Sequence, residues 1–187
     1  MAKASAGMSK YAHKVRKPYP TLYHISFNEE LQGVWQPKSP DGDYDDSGDD
    51  ALYGEPTTPR ISLSPSVEQA FQAVYANVKH LFDKYPYLIF FVYQPVFKGT
   101  ERIVDPGQFS KHRLVHDAHI TEEHSVLDPL KMALLSRVKI HKPNDKNRVN
   151  YYAFNVKANE YYGWLPGQIN AEWMSLESRS SVAWLNW

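Results

Sequence analysis

The sequence predicts an α+β fold: a mostly antiparallel β core with one main helix, followed by an aromatic-rich C-terminal extension. Three observations carry this. Residues 87–93 (Tyr-Leu-Ile-Phe-Phe-Val-Tyr) form a continuously apolar run of strand length. Val67, Ala70, Phe71, Val74, Tyr75 and Val78 recur at helical spacing. Short β-branched and aromatic segments bounded by Pro and Gly flank both. A chain of 187 residues is expected to form one domain with a sizeable core.

Residues 1–20 are rich in Lys and Arg, poor in apolar side chains and end on Pro18 and Pro20. They read as a flexible basic arm, either solvated or touching a partner or phosphate. Residues 21–142 are expected to form the domain proper. Thr21 to Phe27 is its first strand. Residues 36–59 follow as an acidic, Pro-rich loop with the run Asp-Gly-Asp-Tyr-Asp-Asp-Ser-Gly-Asp-Asp. Arg60 to Ser64 is the second strand. The main helix runs from Pro65 to Lys84, with Ser64 or Ser66 as N-cap and Glu68 and Gln69 in its first turn. Tyr87 to Tyr93 is a central strand buried on both faces. Glu101 to Val104 is a shorter strand, and Pro106-Gly107 marks a turn. His116 to Leu127 reads as a strand, and Leu130 to Ile140 as the closing one. Residues 143–187 are the extension, with four of the five Trp residues; Ala171 to Ser181 reads as a short helix there.

Composition excludes several classes. Lys plus Arg and Asp plus Glu each number 21, so formal net charge is zero, against nucleic-acid binding by bulk charge. Cys is absent, which removes disulfides, thiolate metal sites and thiol catalysis. No apolar run reaches the ~18 residues of a membrane helix. The basic N-terminus lacks the apolar core of a secretory signal, so a cytoplasmic location is expected, that of the host cytoplasm if a phage encodes the chain.

Several residues could carry chemistry. Glu122 and Glu123 are neighbours on the expected strand, so one faces the interior and the other solvent. The inward carboxylate could stabilise a developing cation; both could also be edge charges that block sheet-to-sheet association. Glu123 shares a face with Thr121 and Ser125, which favours it over Glu122. His24 lies inside an apolar strand, as a hydrogen-bonded core residue or a ligand contact. Ser62 and Ser64 share a strand face just before a helix start, where backbone N–H groups attract phosphate; ordinary capping explains them as well.

Other constellations are weaker. His112, His116, His119 and His124 match no zinc spacing, and no metal is expected. Asp43-Tyr44-Asp45-Asp46-Ser47-Gly48 imitates the start of a calcium loop, but the twelfth position is Gly54 instead of Glu. Gly-rich phosphate loops, Gly-x-Ser-x-Gly elbows and His-Glu-x-x-His are missing. Lys14, Arg16 and Lys17 could form a local basic face. Trp164, Trp173, Trp184 and Trp187 either cover a sheet face or anchor a partner or a second copy.

The order of Leu22-Tyr23-His24-Ile25-Ser26, then Arg60-Ile61-Ser62-Leu63-Ser64-Pro65-Ser66 into a helix, then Thr121-Glu122-Glu123 resembles the ADP-ribosyltransferase superfamily in its His–hydroxyl/Tyr–Glu form. It is also similar to small phage and bacterial proteins with a Leu-Tyr-His-x-Ser first strand. The resemblance covers roughly residues 20–140. It implies a split β core holding NAD in a cleft. His24 would bind the adenosine ribose, and Ser62 or Ser64 the nicotinamide-side ribose or pocket. Tyr75 would stack on nicotinamide if its helix borders the cleft. Glu123 would hold the ribose 2′-hydroxyl and stabilise an oxocarbenium-like sugar. The chain departs from the family at Ile25, where Gly is usual, and at Thr121, where no carboxylate stands two residues before Glu123. The implied activity is transfer of ADP-ribose from NAD to a macromolecule. The alternative is a non-catalytic interaction or structural protein, a phage component or counter-defence factor, docking through its aromatic C-terminus.

Overall fold

A computed structural model describes residues 8–39, 58–112, 118–152 and 160–176. The fold is α+β with antiparallel pairing throughout the described strands. Its centre is β5 (Tyr87–Val96), paired along its whole length with β8 (Leu130–His141). β2 (His24–Ser26) lies on the free side of β5. The other side of β8 carries β3 (Gly33–Trp35) at one end and β11 (Ala171–Met174) at the other. A second sheet runs in the order β1 (His13–Lys14), β6 (Arg102–Val104), β7 (His124–Val126) and β4 (Ile61–Leu63). β9 (Val149–Tyr152) and β10 (Glu160–Gly163) form a separate hairpin.

The apolar run of β5 is explained by two cores. Leu88, Phe90 and Val92 face the helix α1 (Val67–Val78). Phe91 and Tyr93 face the second sheet, against Ile61, Leu63, Ile103 and Val126. On β8 the faces switch at a register shift opposite Val92 and Tyr93, where Leu135 is the extra residue. Leu130 and Met132 therefore enter the inter-sheet core, whereas Val138 and Ile140, of the same parity, enter the helix core. α1 is capped by Ser66, whose Oγ accepts from Gln69 N at 3.1 Å, and it continues as a 3₁₀ turn over Lys79–Asp83. The expected helix from 65 to 84 thus holds in two pieces.

Four expectations need correction. Residues 8–20 are not a free arm: Met8 and Val15 are buried, and β1 pairs with β6. Two apolar anchors and a ladder hold a segment whose charges suggested solvation; residues 1–7 lie outside the described part. The expected strand over 116–127 is divided. Ala118–Thr121 is a helical turn (α3), Glu122 takes a left-handed φ of 46°, and only His124–Val126 is strand. Packing of this turn on α1 overrides the β preference of Ile120 and Thr121. Pro106-Gly107 opens the helix α2 (Pro106–His112), with Pro at its first position. Residues 171–174 are strand, not helix, because their backbone completes the edge of β8; 177–181 lie outside the described residues, as do the acidic loop from 40 to 57, Trp184 and Trp187.

The described part of the extension belongs to the same core. Trp164 is 1% exposed. Its backbone exchanges two hydrogen bonds with the Gln72 side chain of α1, at 3.0 and 3.1 Å. No helix among the described residues is long and apolar enough to cross a membrane.

Candidate functional site

The two sheets touch where β2 and β4 diverge. Tyr23 and Ser64 exchange backbone hydrogen bonds of 2.8 and 2.9 Å, just before β2 and just after β4. Beyond this bridge, β2 turns away to pair with β5. Among the described residues the exposed edge of β4 is paired again only at Arg60, which bonds Lys38 in both directions. Between the two bridges the Ser62 carbonyl loses its ladder partner, and His24 supplies a replacement: its Nδ1 lies 3.3 Å from that oxygen.

This contact defines the state of the ring. Burial lowers the His24 pKa, with the Ser62 carbonyl opposing. The neutral ring must carry its proton on Nδ1, since a carbonyl only accepts. Nε2 then carries the ring's lone pair. The indole of Trp35 stands edge-on to the imidazole, with ring centres 4.8 Å apart, and its Nε1 donates to the Leu31 carbonyl.

On β4 the side chain of Ser62 points away from Ile61 and Leu63, which enter the core. Its hydroxyl donates to Glu123 Oε1 at 2.6 Å. Ser125, two residues beyond Glu123, donates to the same oxygen at 3.0 Å. The Arg60 guanidinium completes the set with Nε at 3.5 Å from Oε1, in an ion pair whose side chains are 5% and 11% exposed. All of these contacts fall on one carboxylate oxygen. The choice between the two glutamates follows from the backbone. The left-handed turn at Glu122 ends α3, leaves Glu122 in solvent and turns Glu123 inward.

His24, Ser62 and Glu123 are therefore linked in sequence, the imidazole to the Ser62 carbonyl and the Ser62 hydroxyl to the carboxylate. Ser64 joins them through its backbone, as half of the bridge that fixes the junction, with the residue buried. Tyr75 is elsewhere, and its expected stacking role is corrected. Its ring meets Phe71 and Trp164 edge-on, and its hydroxyl donates to Asp145 at 3.0 Å. Burial first, then Asp145, pushes its pKa up to about 12. Arg60 and Trp35 were not singled out as site residues from sequence. Arg60 carried a faint signal, a lone cation heading an apolar strand; Trp35 carried none, standing at the edge of the acidic loop.

On the reverse of β7, His124 pairs with the other face of the sheet. Its Nδ1 donates to the Glu122 carbonyl at 2.9 Å, and its Nε2 lies 3.9 Å from Asp105. Burial lowers its pKa, while the Glu122 carbonyl and nearby acids oppose this. No group of three metal-ligating side chains is assembled among the described residues.

Chemically, the junction offers a positioned carboxylate, a hydroxyl, a neutral imidazole acceptor and an aromatic edge. Glu123 gives the set one negative charge, which the Arg60 guanidinium faces. No protein-family model, curated protein or solved structure matches the chain.

Proposed function

We propose that the protein is ADP-ribosyltransferase-like: that it binds NAD at the His24–Ser62–Glu123 junction and transfers ADP-ribose to a macromolecular target. The observation that carries this reading is the 2.6 Å bond from Ser62 to Glu123 beside the imidazole that caps the Ser62 carbonyl. Bound there, NAD supplies an electrophilic anomeric carbon: its bond to nicotinamide breaks, nicotinamide leaves with the electron pair, and an acceptor nucleophile bonds to the carbon and gives up its proton. Glu123 faces the positive charge that develops on the sugar. Its orientation is set in advance by Ser62, Ser125 and Arg60, so little reorganisation is needed during reaction. His24 accepts from a ribose hydroxyl through Nε2. Trp35 walls the imidazole side.

The test is transfer of label from labelled NAD to protein or cell-extract acceptors by wild type and Glu123→Gln, an isosteric change that removes the charge. A loss of roughly 10²- to 10³-fold is expected, the scale of one electrostatic group in a transition state. Equal labelling by the two proteins removes Glu123 from this role, and with it the enzyme reading.

A further inference from the structure

The first 28 residues hold five Lys or Arg and no acidic residue, although the whole chain is neutral. Folding turns part of this stretch into a fixed edge. β1 is the outermost strand of its sheet, and Val15 N–H donates to the Glu101 carbonyl at 2.9 Å. Lys10, Lys14, Arg16 and Lys17 are all exposed along it. A half-buried tyrosine stands near each end of this run of cations: Lys10 Nζ lies 4.8 Å from the Tyr11 ring centre, and Lys17 Nζ 5.8 Å from that of Tyr19.

A pocket of about 260 Å³ opens beside this edge. Its floor includes the buried Val15 and Ile103, and its rim carries His13, Arg16, Asp105 and His124. Asp105 lies 3.5 Å from His13 and 3.9 Å from His124. The rim thus presents donors and an acceptor together over an apolar floor. A bare phosphate would be repelled by Asp105, whereas a nucleobase has donors, acceptors and apolar faces. The volume falls just below the ~300–1,000 Å³ of sites for drug-sized ligands, which suits one heterocycle and not a whole dinucleotide.

We propose that the β1 edge and this pocket bind single-stranded nucleic acid, with phosphates along Lys14, Arg16 and Lys17 and one unstacked base in the pocket. Cationic tracks interleaved with aromatic rings are the common means of holding such strands. The proposal is independent of the NAD reading, since neither the edge nor the pocket rim includes His24, Ser62 or Glu123.

Fluorescence anisotropy of a labelled single-stranded decanucleotide tests it across a salt series. Binding is expected to weaken with salt, with about 0.7 in log–log slope for each phosphate contact. Lys14→Glu/Arg16→Glu is expected to weaken it by at least ~10-fold at low salt and to flatten the slope. Both residues are exposed, and Lys10→Glu/Lys17→Glu serves as a second pair should the first fail to fold. An abasic strand and the matching duplex are expected to bind more weakly than the base-bearing single strand. Absence of binding at low salt, or undiminished binding by a folded charge-reversal pair, overturns the proposal. Equal binding of the abasic strand or the duplex does so too, as does equal binding of poly-glutamate, which would mark the edge as a docking surface for acidic proteins.

Discussion

Two regions of the protein bury ionisable groups, and they do so in opposite ways. At the junction of the two sheets, His24, Ser62 and Glu123 meet through single polar contacts at a place where two strands part. At the far end of α1, Tyr75, Trp164 and Arg148 are locked together by rings and hydrogen bonds. The Arg148 guanidinium lies 5.1 to 5.6 Å from the ring centres of Trp164, Tyr75 and Tyr162, and donates to the Tyr162 carbonyl at 2.7 Å. Trp164 also donates through its indole nitrogen to the Asn144 carbonyl. In the aromatic clamp the Tyr75 hydroxyl, the Trp164 indole nitrogen and one terminal nitrogen of Arg148 have internal partners, although Arg148 Nε makes no hydrogen bond among the described residues. At the junction His24 bonds through Nδ1, and the contacts of Glu123 with Ser62, Ser125 and Arg60 all fall on one oxygen. That difference is why Tyr75 is read as architectural, whereas the proposed function assigns a ligand to His24 and Glu123.

The clamp should dominate stability. Trp164→Ala is expected to cost about 3–5 kcal/mol, the usual loss for a large buried aromatic, measured by urea unfolding at neutral pH. A cost under about 1 kcal/mol would mean that the extension does not belong to the core.

The two regions should also fail at opposite ends of the pH scale. The Tyr75 hydroxyl is held protonated in the fold up to about 12, against an ordinary tyrosine value near 10. The unfolded chain therefore loses this proton first. The contribution is complete below pH ~10 and disappears as pH rises through ~12, by about 2–3 kcal/mol. Tyr75→Phe should lack this alkaline component when unfolding is followed between those values. At the junction the sign is reversed. Burial lowers the pKa of His24 there, and that of His124 on the reverse of β7, so the unfolded chain takes up protons before the fold does. Their contribution is present above pH ~6.5 and is lost as pH falls through their depressed folded values. His24→Asn should reduce the acid-side loss seen just below pH ~6.5, while leaving the alkaline limb as it is.

The smallest expected effect falls on a single bond. Ser125→Ala removes one of two hydroxyls from Glu123 and should cost about 1.5–3 kcal/mol, as for hydrogen bonds to charged groups. It should also lower label transfer less than Glu123→Gln does. An unchanged unfolding midpoint would show that Ser62 and Arg60 suffice to hold the carboxylate.

What could be read from sequence follows physical lines. β5 was legible because both of its faces are buried, so no polar residue interrupts the apolar run. α1 was legible from the spacing of Val67, Phe71 and Tyr75 and from a serine cap. The break between α3 and β7 was not, because the left-handed residue is Glu122, where Gly or Asn would have marked the turn. The face switch on β8 was hidden as well: Met132 and Val138 have the same parity, and only pairing with β5 reveals the extra residue. Residues 171–174 showed no strand alternation because what they complete is a backbone edge. At the site, the order His24, Ser62, Glu123 and the shared face of Ser125 were visible. The distance that brings Arg60 and Trp35 to them depends on how the two sheets meet, which no local pattern encodes.

Addition of NAD to isotope-labelled protein, followed through side-chain NMR signals, tests the central claim most directly. The account predicts saturable shifts of the His24 imidazole and Trp35 indole, with the Trp164 indole and Tyr75 ring unmoved. Shifts confined to Trp164 and Tyr75, or none at any concentration, would contradict it.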